Sequence, residues 1–204
     1  MRLRSSFHIF LLALHLTAVE CKAPLVYKVY NIRKFLWTHS AIWTFVTTGG
    51  SHCLCQADVT KHIDQQLITY THYFLSQGHF KKHTQMSGYF TKKNIMQVKP
   101  YGSANEVIHE IVYSDKIHKC AVLKVSSMIS PGNRISKLDL RVWNSSNVRA
   151  MAQHCLPAFR KRATIEHLVY KDMCQGAIGK GQPSQDQDVE GRKNPHDFVC
   201  LNYG

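Results

Sequence analysis

The sequence predicts a mainly β domain, built as a closed antiparallel barrel or a sandwich and followed by a helix. Three observations support this class. Short runs rich in β-branched and aromatic residues recur between residues 41 and 143. Glycine, proline and asparagine separate these runs, and a segment of helical spacing follows them. Regular strand spacing with turn signals is typical of both architectures, and the pattern does not choose between them.

The elements follow from the periodicity of apolar residues. A short helix is predicted over residues 24–38, where Ile32 and Leu36 fall at helical spacing. In the clearest strands, Ile68 alternates with Tyr70, His72 and Phe74, and Val107 with His109, Ile111 and Tyr113. The eight predicted strands cover residues 41–48, 52–63, 66–75, 84–90, 94–99, 106–114, 120–128 and 137–143.

The last part of the chain has a different character. Asn147 is a suitable N-cap for a helix, and apolar residues recur at helical spacing from Val148 to Val169, with Pro157 able to kink or split it. The tail over residues 175–204 is rich in Gly, Gln, Asp and Pro, so we expect a flexible segment tethered by Cys200.

Residues 1–21 have the three parts of a secretion signal. Arg2 and Arg4 precede an apolar run, which is shorter than the ~20 residues needed to span a bilayer. We expect cleavage before Lys22 and a released protein without a membrane span. The domain itself is then predicted over residues 22–174.

The chain is strongly basic, with a formal net charge of +13. The Lys and Arg residues are scattered, which fits either an ordinary solvated surface or one that binds heparin-like polyanions or acidic host proteins. No nucleic-acid-binding motif is present, so nucleic acid is not an expected partner.

Seven cysteines follow the charged start of the chain, and removal of residues 1–21 leaves six. An even number in a secreted chain predicts three disulfides. The sequence has no HExxH or GxSxG motif and no CxxC pairs spaced for zinc. A cysteine hydrolase would need a free thiol, so we expect neither an enzyme nor a metal or cofactor.

Several segments resemble the tick salivary lipocalins, the family that includes the histamine-binding proteins. The aromatic strand 42–48 ends in two threonines, as the first strand does in that family. Residues 55–58, 113–115 with Cys120, and 170–174 are similar to the segments around the family's structural cysteines, as is Cys155. The resemblance covers about residues 34–174.

That resemblance implies an eight-stranded antiparallel lipocalin barrel with a short N-terminal helix and a C-terminal helix packed outside. It further implies a secreted monomer with disulfides Cys120–Cys155 and Cys55–Cys174, which leave Cys53 for Cys200. Exchange of Cys53 and Cys55 between these roles stays open, because one residue separates them.

Members of the family that bind biogenic amines carry acidic residues in a motif around the second and third cysteines. Here the corresponding segments are Cys120-Ala121-Val122 and Arg141-Val142-Trp143, so the tryptophan is kept and both acids are lost. An arginine inside the barrel would repel an amine and suit a carboxylate. The family register places Arg141 inward, whereas the apolar alternation around it favours an outward orientation. An acid turned inward elsewhere, for instance Glu106, Glu110 or Asp139, would undo the argument against an amine.

We therefore expect a salivary protein that captures a small host mediator of inflammation or haemostasis, with a fatty-acid or leukotriene-like ligand favoured over histamine. The alternative is a modulator of coagulation or complement that binds proteins or polyanions through its basic exterior. Asn144 lies in the sequon Asn144-Ser145-Ser146 and is a candidate glycosylation site. The candidate ligand-binding residues are Trp43, Phe45, Tyr70, Phe74, His109, Tyr113, Arg141 and Trp143.

Overall fold

The computed structural model describes residues 28–76, 80–101, 106–130 and 132–178. Within them the chain forms α1 (Ile32–Leu36), β1 (Ile42–Thr47), β2 (Cys53–Ile63), β3 (Leu67–Ser76), β4 (Phe80–Lys92), β5 (Ile95–Pro100), β6 (Val107–Asp115), β7 (Cys120–Ser130), β8 (Asn133–Trp143), α2 (Val148–Arg160), β9 (His167–Leu168) and α3 (Cys174–Ile178).

Eight strands close into an antiparallel barrel. Strands β2 to β8 pair in sequence order, β8 pairs with β1, and β1 returns to β2. Helix α2 packs on the outer face of β7 and β8. The predicted mainly β fold, an eight-stranded barrel with a helix outside, is confirmed, and the pairing of β1 with β2 excludes an open sandwich.

The seam between β1 and β2 is short. Ile42 and Trp43 pair with β2, whereas Val46 and Thr47 pair with β9. The register of β1 shifts between Thr44 and Val46, so the strand changes partner at a bulge. The two-residue strand β9 therefore pairs with the part of β1 that does not pair with β2.

Two apolar clusters lie on opposite sides of the barrel wall. The inner cluster includes Ile42, Ile68, Met96, Val98, Ile111 and Leu123. The outer cluster includes Trp43, Val122, Leu140, Val142, Ala152 and Phe159, and joins β1, β7 and β8 to helix α2. Both faces of these strands are buried, so apolar residues alone do not mark the inside.

Helix α1 contributes to the inner cluster at one end of the barrel. Its N-cap Asn31 accepts a hydrogen bond from the Lys34 amide, and the Ile32 amide donates to the Lys93 carbonyl. The Phe35 carbonyl accepts from the Trp143 indole at 2.8 Å. The described part of the predicted helix, residues 28–38, is helical only over Ile32–Leu36, and residues 24–27 lie outside the description.

Helix α2 begins where its cap was expected and ends earlier than the apolar spacing indicated. The Asn147 side chain accepts from the Ala150 amide at 2.9 Å, and the helix runs through Pro157 to Arg160. The amides of Val169 and Tyr170 both donate to the Phe45 carbonyl. This pairing with β1 makes the following segment a strand edge rather than a continued helix.

Disulfides Cys120–Cys155 and Cys55–Cys174 tie the C-terminal segment to the barrel, and both are the pairings that the family resemblance implies. Cys55 has a φ of 52°, at a bulge in β2 that places it in the outer cluster while Cys53 packs against Phe74. Cys53 is also disulfide-bonded. Its expected partner Cys200 and the predicted signal segment lie outside the described residues.

No helix in the described part of the chain is long and apolar enough to cross a membrane. Across the same residues, no group of three or more His, Cys, Asp or Glu side chains is arranged to hold a metal ion.

Candidate functional site

The barrel interior contains a cluster of charged side chains centred on Arg141. Arg141 and Asp139 lie two residues apart on β8 and therefore share its inner face. The Arg141 guanidinium donates from one nitrogen to Asp58 on β2 and from another to Asp139, the latter at 3.2 Å. All three side chains are buried, at 5%, 6% and 1% exposure for Arg141, Asp58 and Asp139.

Each carboxylate also has a second partner. Asp58 and His72 are directly opposite in the β2–β3 register, and their Oδ1 and Nδ1 atoms lie 2.6 Å apart. Thr47 and Asp139 are opposite in the β1–β8 register, and the Thr47 hydroxyl donates to Asp139 at 2.7 Å. The cluster therefore joins β1, β2, β3 and β8 through buried polar contacts.

The environment keeps both carboxylates ionised. Burial alone would raise the pKa of Asp58, but Arg141 and the hydrogen bond with His72 outweigh burial and lower the pKa to about 2. The pKa of Asp139 is also lowered, because Lys137, Arg141 and the Thr47 hydroxyl outweigh its burial. The two carboxylates are thus balanced by two cations, the Arg141 guanidinium and the nearby Lys137 ammonium group.

His109 and Tyr70 face the same cluster. Burial and then the Arg141 charge lower the pKa of His109 to about 3, so its imidazole is neutral at physiological pH. Burial and the Asp58 charge raise the pKa of Tyr70 well above its ordinary value. Both side chains are therefore uncharged hydrogen-bonding groups on the inner wall.

Three atoms of this site are buried without a hydrogen-bond partner: Arg141 Nε, His72 Nε2 and His109 Nδ1. The Arg141 Nε–H group is a donor. Because Asp58 is ionised, His72 Nδ1 is the donor of their hydrogen bond, and Nε2 is the ring nitrogen left without a partner. The inner wall thus presents the Arg141 donor and one unpartnered ring nitrogen on each of His72 and the neutral His109.

Half of the residues expected to bind ligand lie on the inner face. Tyr70, Phe74, His109 and Arg141 are all buried there, at 2–5% exposure. The inward orientation expected from the family register is the one observed for Arg141.

Trp43 and Phe45 require a correction, because they lie in the outer cluster beneath the C-terminal segment. Their rings pack against Tyr170 with centroid distances of 5.4 and 5.9 Å. Trp43 is opposite Val142, whose neighbour Arg141 occupies the inner face. The aromatic residues of β1 therefore hold the C-terminal segment and do not line the interior.

Tyr113 and Trp143 both lie at the α1 end of the barrel, where Trp143 packs against the inner cluster. The register of β6 shifts between Ile111 and Tyr113, which turns Tyr113 towards Tyr30 at a ring distance of 5.6 Å. Trp143 packs against Phe35, and both Tyr113 and Trp143 border a groove on the outer side of α1.

The sequence reasoning missed Asp58 as a site residue. Gln56, Asp58 and Thr60 alternate with Ala57 and Val59 along β2, and the polar set is the inner one. The alternation is present in the sequence, but it does not say which face is the inner one, and an apolar inner face would put Asp58 outside. Asp139 was noted as an acid that could weaken the Arg141 argument, and the structure does turn it inward.

No family model matches this sequence, and a search of curated proteins also finds no match. Among solved structures, lobster apocrustacyanin A1 is similar at 12% identity and a TM-score of 0.48, over 65% of this chain and 76% of that chain. Apocrustacyanin C2 is similar at 12% identity and a TM-score of 0.49, over 65% of this chain and 76% of that chain.

Aphrodisin, described as a sex pheromone from female hamster, is similar at 11% identity and a TM-score of 0.41, over 60% of this chain and 85% of that chain. Identities and TM-scores at this level do not indicate what this chain binds. The geometry of its own strands defines the class: an up-and-down eight-stranded barrel of the lipocalin type, a fold suited to one small ligand.

Proposed function

We propose that this protein is a secreted, lipocalin-like carrier that binds one small ligand inside its barrel and acts by capture. The observation that carries the proposal is the set of three buried, unpartnered atoms, Arg141 Nε, His72 Nε2 and His109 Nδ1. Buried polar atoms are costly without partners, and a ligand with complementary groups would satisfy them. Few polar anchors on a largely apolar wall are typical of small-molecule sites.

The contacts of Arg141 favour a ligand that bears a protonated amine over one that bears a carboxylate. The fatty-acid or leukotriene-like ligand expected from the sequence required an Arg141 free to pair with a carboxylate. Arg141 already contacts Asp58 and Asp139, so a ligand carboxylate would have to compete with them for the guanidinium and would be repelled by both. A ligand ammonium group would be attracted to both buried carboxylates and would leave the Arg141 contacts in place.

The resemblance to tick salivary lipocalins extends this proposal to capture of a host mediator of inflammation or haemostasis. A signal peptide at residues 1–21 and a tail at residues 175–204 belong to the same proposal. The buried disulfides support an oxidising, extracellular setting. Asn144 is exposed, which supports glycosylation there, and its Oδ1 accepts from the Trp43 indole at 3.0 Å.

The test is native mass spectrometry of the secreted protein with histamine, serotonin, leukotriene and arachidonate, each present at the same concentration. We expect one amine to be retained at one molecule per chain, in preference to both lipids. Selective retention of a lipid would contradict the charge argument, and retention of none would contradict the capture function.

His109→Leu separates binding from folding. His109 Nδ1 has no partner, so its removal should leave stability unchanged or slightly higher. Loss of a ligand contact should nevertheless weaken amine binding about tenfold, a change of ~1.4 kcal/mol. The control His39→Leu removes an exposed histidine outside the barrel interior and should bind the amine as the wild type does. Equal affinity of both variants would place the ligand elsewhere.

A further inference from the structure

A groove at the α1 end of the barrel lies outside the interior site. It has a volume of about 1170 Å³ and is bordered by α1, the segment that precedes it, and the β6–β7 turn. Its apolar lining includes Tyr30, Trp37, Tyr113 and Trp143, with Trp37 55% exposed. A volume of this size is on the scale of small-molecule pockets.

Basic side chains dominate the polar lining of the groove: Lys28, Arg33, Lys34, Lys93, Lys116 and Lys119. Asp115 is the one acid among the described lining residues. It is already engaged, since it accepts from the backbone amides of Ile117 and His118 and contacts the His118 ring at 2.8 Å. The groove therefore has a strong excess of positive charge.

Contacts among aromatic residues and the backbone of α1 hold the groove in shape. The Trp143 indole donates to the Phe35 carbonyl, and the Tyr30 and Tyr113 rings pack at 5.6 Å. Lys119 Nζ lies 5.5 Å from the centre of the Trp143 ring, and Lys28 Nζ lies 5.2 Å from that of Tyr30. Lysines next to aromatic rings suit a ligand whose apolar part packs on the rings and whose anionic group pairs with the lysines.

We propose that this groove binds a small amphipathic organic anion, whose apolar part packs on the aromatic wall and whose carboxylate, sulfate or phosphate group pairs with the lysines. The charge of this ligand is opposite to that proposed for the interior. Helix α1 lies between the two sites, because its Ile32, Phe35 and Leu36 side chains belong to the inner cluster. The protein thus has two sites of opposite charge preference.

The test uses octyl sulfate below its critical micelle concentration, with 1-octanol as the uncharged probe of equal chain length, in isothermal titration calorimetry of the secreted protein. We expect octyl sulfate to bind at least about tenfold more tightly than 1-octanol, and to weaken as salt screens the lysines. Quenching of Trp37 and Trp143 fluorescence should accompany binding.

Variants locate the site. Lys34→Glu with Lys116→Glu reverses two charges of the groove and should weaken octyl sulfate binding at least about tenfold. Lys161→Glu with Lys171→Glu makes the same change at two exposed lysines outside the groove and should alter the affinity less than about twofold. If circular dichroism shows that the groove variant loses the barrel, the milder Lys34→Gln with Lys116→Gln replaces it.

Three results would overturn the proposal: equal affinity for octyl sulfate and 1-octanol, unchanged affinity in the groove variants, or displacement of octyl sulfate by saturating histamine. The last result would mean that both probes occupy one site. The interior function is tested separately by His109→Leu, so each proposal can fail without the other.

Discussion

Arg141 is buried between two carboxylates, and this placement governs how its neighbours titrate. The guanidinium keeps Asp58 and Asp139 ionised and disfavours a proton on His109. A charged group inside a protein is tolerated when it is paired and hydrogen-bonded, as these are. The consequence is that Asp58, Asp139 and Arg141 stay charged and His109 stays neutral at neutral pH.

His109 should make the protein less stable in mild acid. A histidine in the unfolded chain titrates near pH 6.5, whereas the folded pKa is about 3. Between these values the unfolded chain binds a proton that the folded protein does not. The free energy of unfolding therefore falls as pH falls, by up to about 1.4 kcal/mol per pH unit. Urea unfolding should show a smaller slope for His109→Leu from about pH 6.5 down to about pH 4.

Met96→Leu is the control for that slope. Met96 is opposite His109 in the β5–β6 register and is equally buried, but it carries no proton. This variant should keep the wild-type slope, while an unchanged slope in His109→Leu would show that His109 is protonated in the fold. Asp58 adds a further loss of stability below about pH 4, because its folded pKa of about 2 lies under the unfolded value of 3.8.

At the residue scale the sequence showed which side chains share a face of a strand, but not which face is inside. Leu138, Leu140 and Val142 alternate with Asp139 and Arg141, and the apolar set lies under helix α2. An outer face covered by a helix is as apolar as a core. Pairing partners several strands away, such as Asp58 for Arg141, decide the orientation, and a local pattern does not contain them.

At the scale of elements, the start of helix α2 depends on its N-cap residue, Asn147. The Asn147 side chain satisfies the Ala150 amide, and the first turn has no acidic residue to assist it. Asn147→Ala should therefore lower the free energy of unfolding by about 1 kcal/mol in urea denaturation.

Asn147→Asp is the matched variant, because aspartate is an equally good N-cap and its charge suits a helix N-terminus. It should be as stable as the wild type. Equal destabilisation by alanine and aspartate would mean that the Asn147 amide group acts through a contact other than the cap.

Strand positions could be predicted because alternation and turn residues act locally. The turn before β8 is an example, since Gly132 has a φ of 83°, a conformation that glycine adopts without strain. The start of β4 at Phe80 could not be predicted, because Lys81 and Lys82, which follow it, resemble residues between strands. Strand β9 has helical spacing in sequence, and only its hydrogen bonds to β1 make it a strand.

At the scale of the whole molecule, two disulfides close loops of different length. Cys55 and Cys174 are 119 residues apart, whereas Cys120 and Cys155 are 35 residues apart. A longer loop removes more conformational entropy from the unfolded chain. With Cys53 replaced by alanine in both cases, so that its own disulfide does not also constrain the longer loop, replacement of Cys55 and Cys174 by alanine should destabilise the protein about 1 kcal/mol more than replacement of Cys120 and Cys155.

Urea unfolding of the two variants checks this order. The pairs are well matched, because all four cysteines are at most 2% exposed and the same number of atoms is removed. The reverse order would show that contacts in the native state, rather than loop length, determine what each disulfide contributes.

The brief seam between β1 and β2 gives the longer disulfide a second consequence. Only Ile42 and Trp43 join these strands directly, and the Cys55 amide donates to the Val169 carbonyl beside them. The segment that follows β9 thus bridges β1 and β2, and the Cys55–Cys174 disulfide holds it in place. A reducing solution would break Cys55–Cys174 and release this segment, so the pairing of β1 with β2 would open more readily. We then expect a bound ligand to dissociate faster. Such a protein would retain its ligand only in an oxidising environment, where this disulfide stays formed.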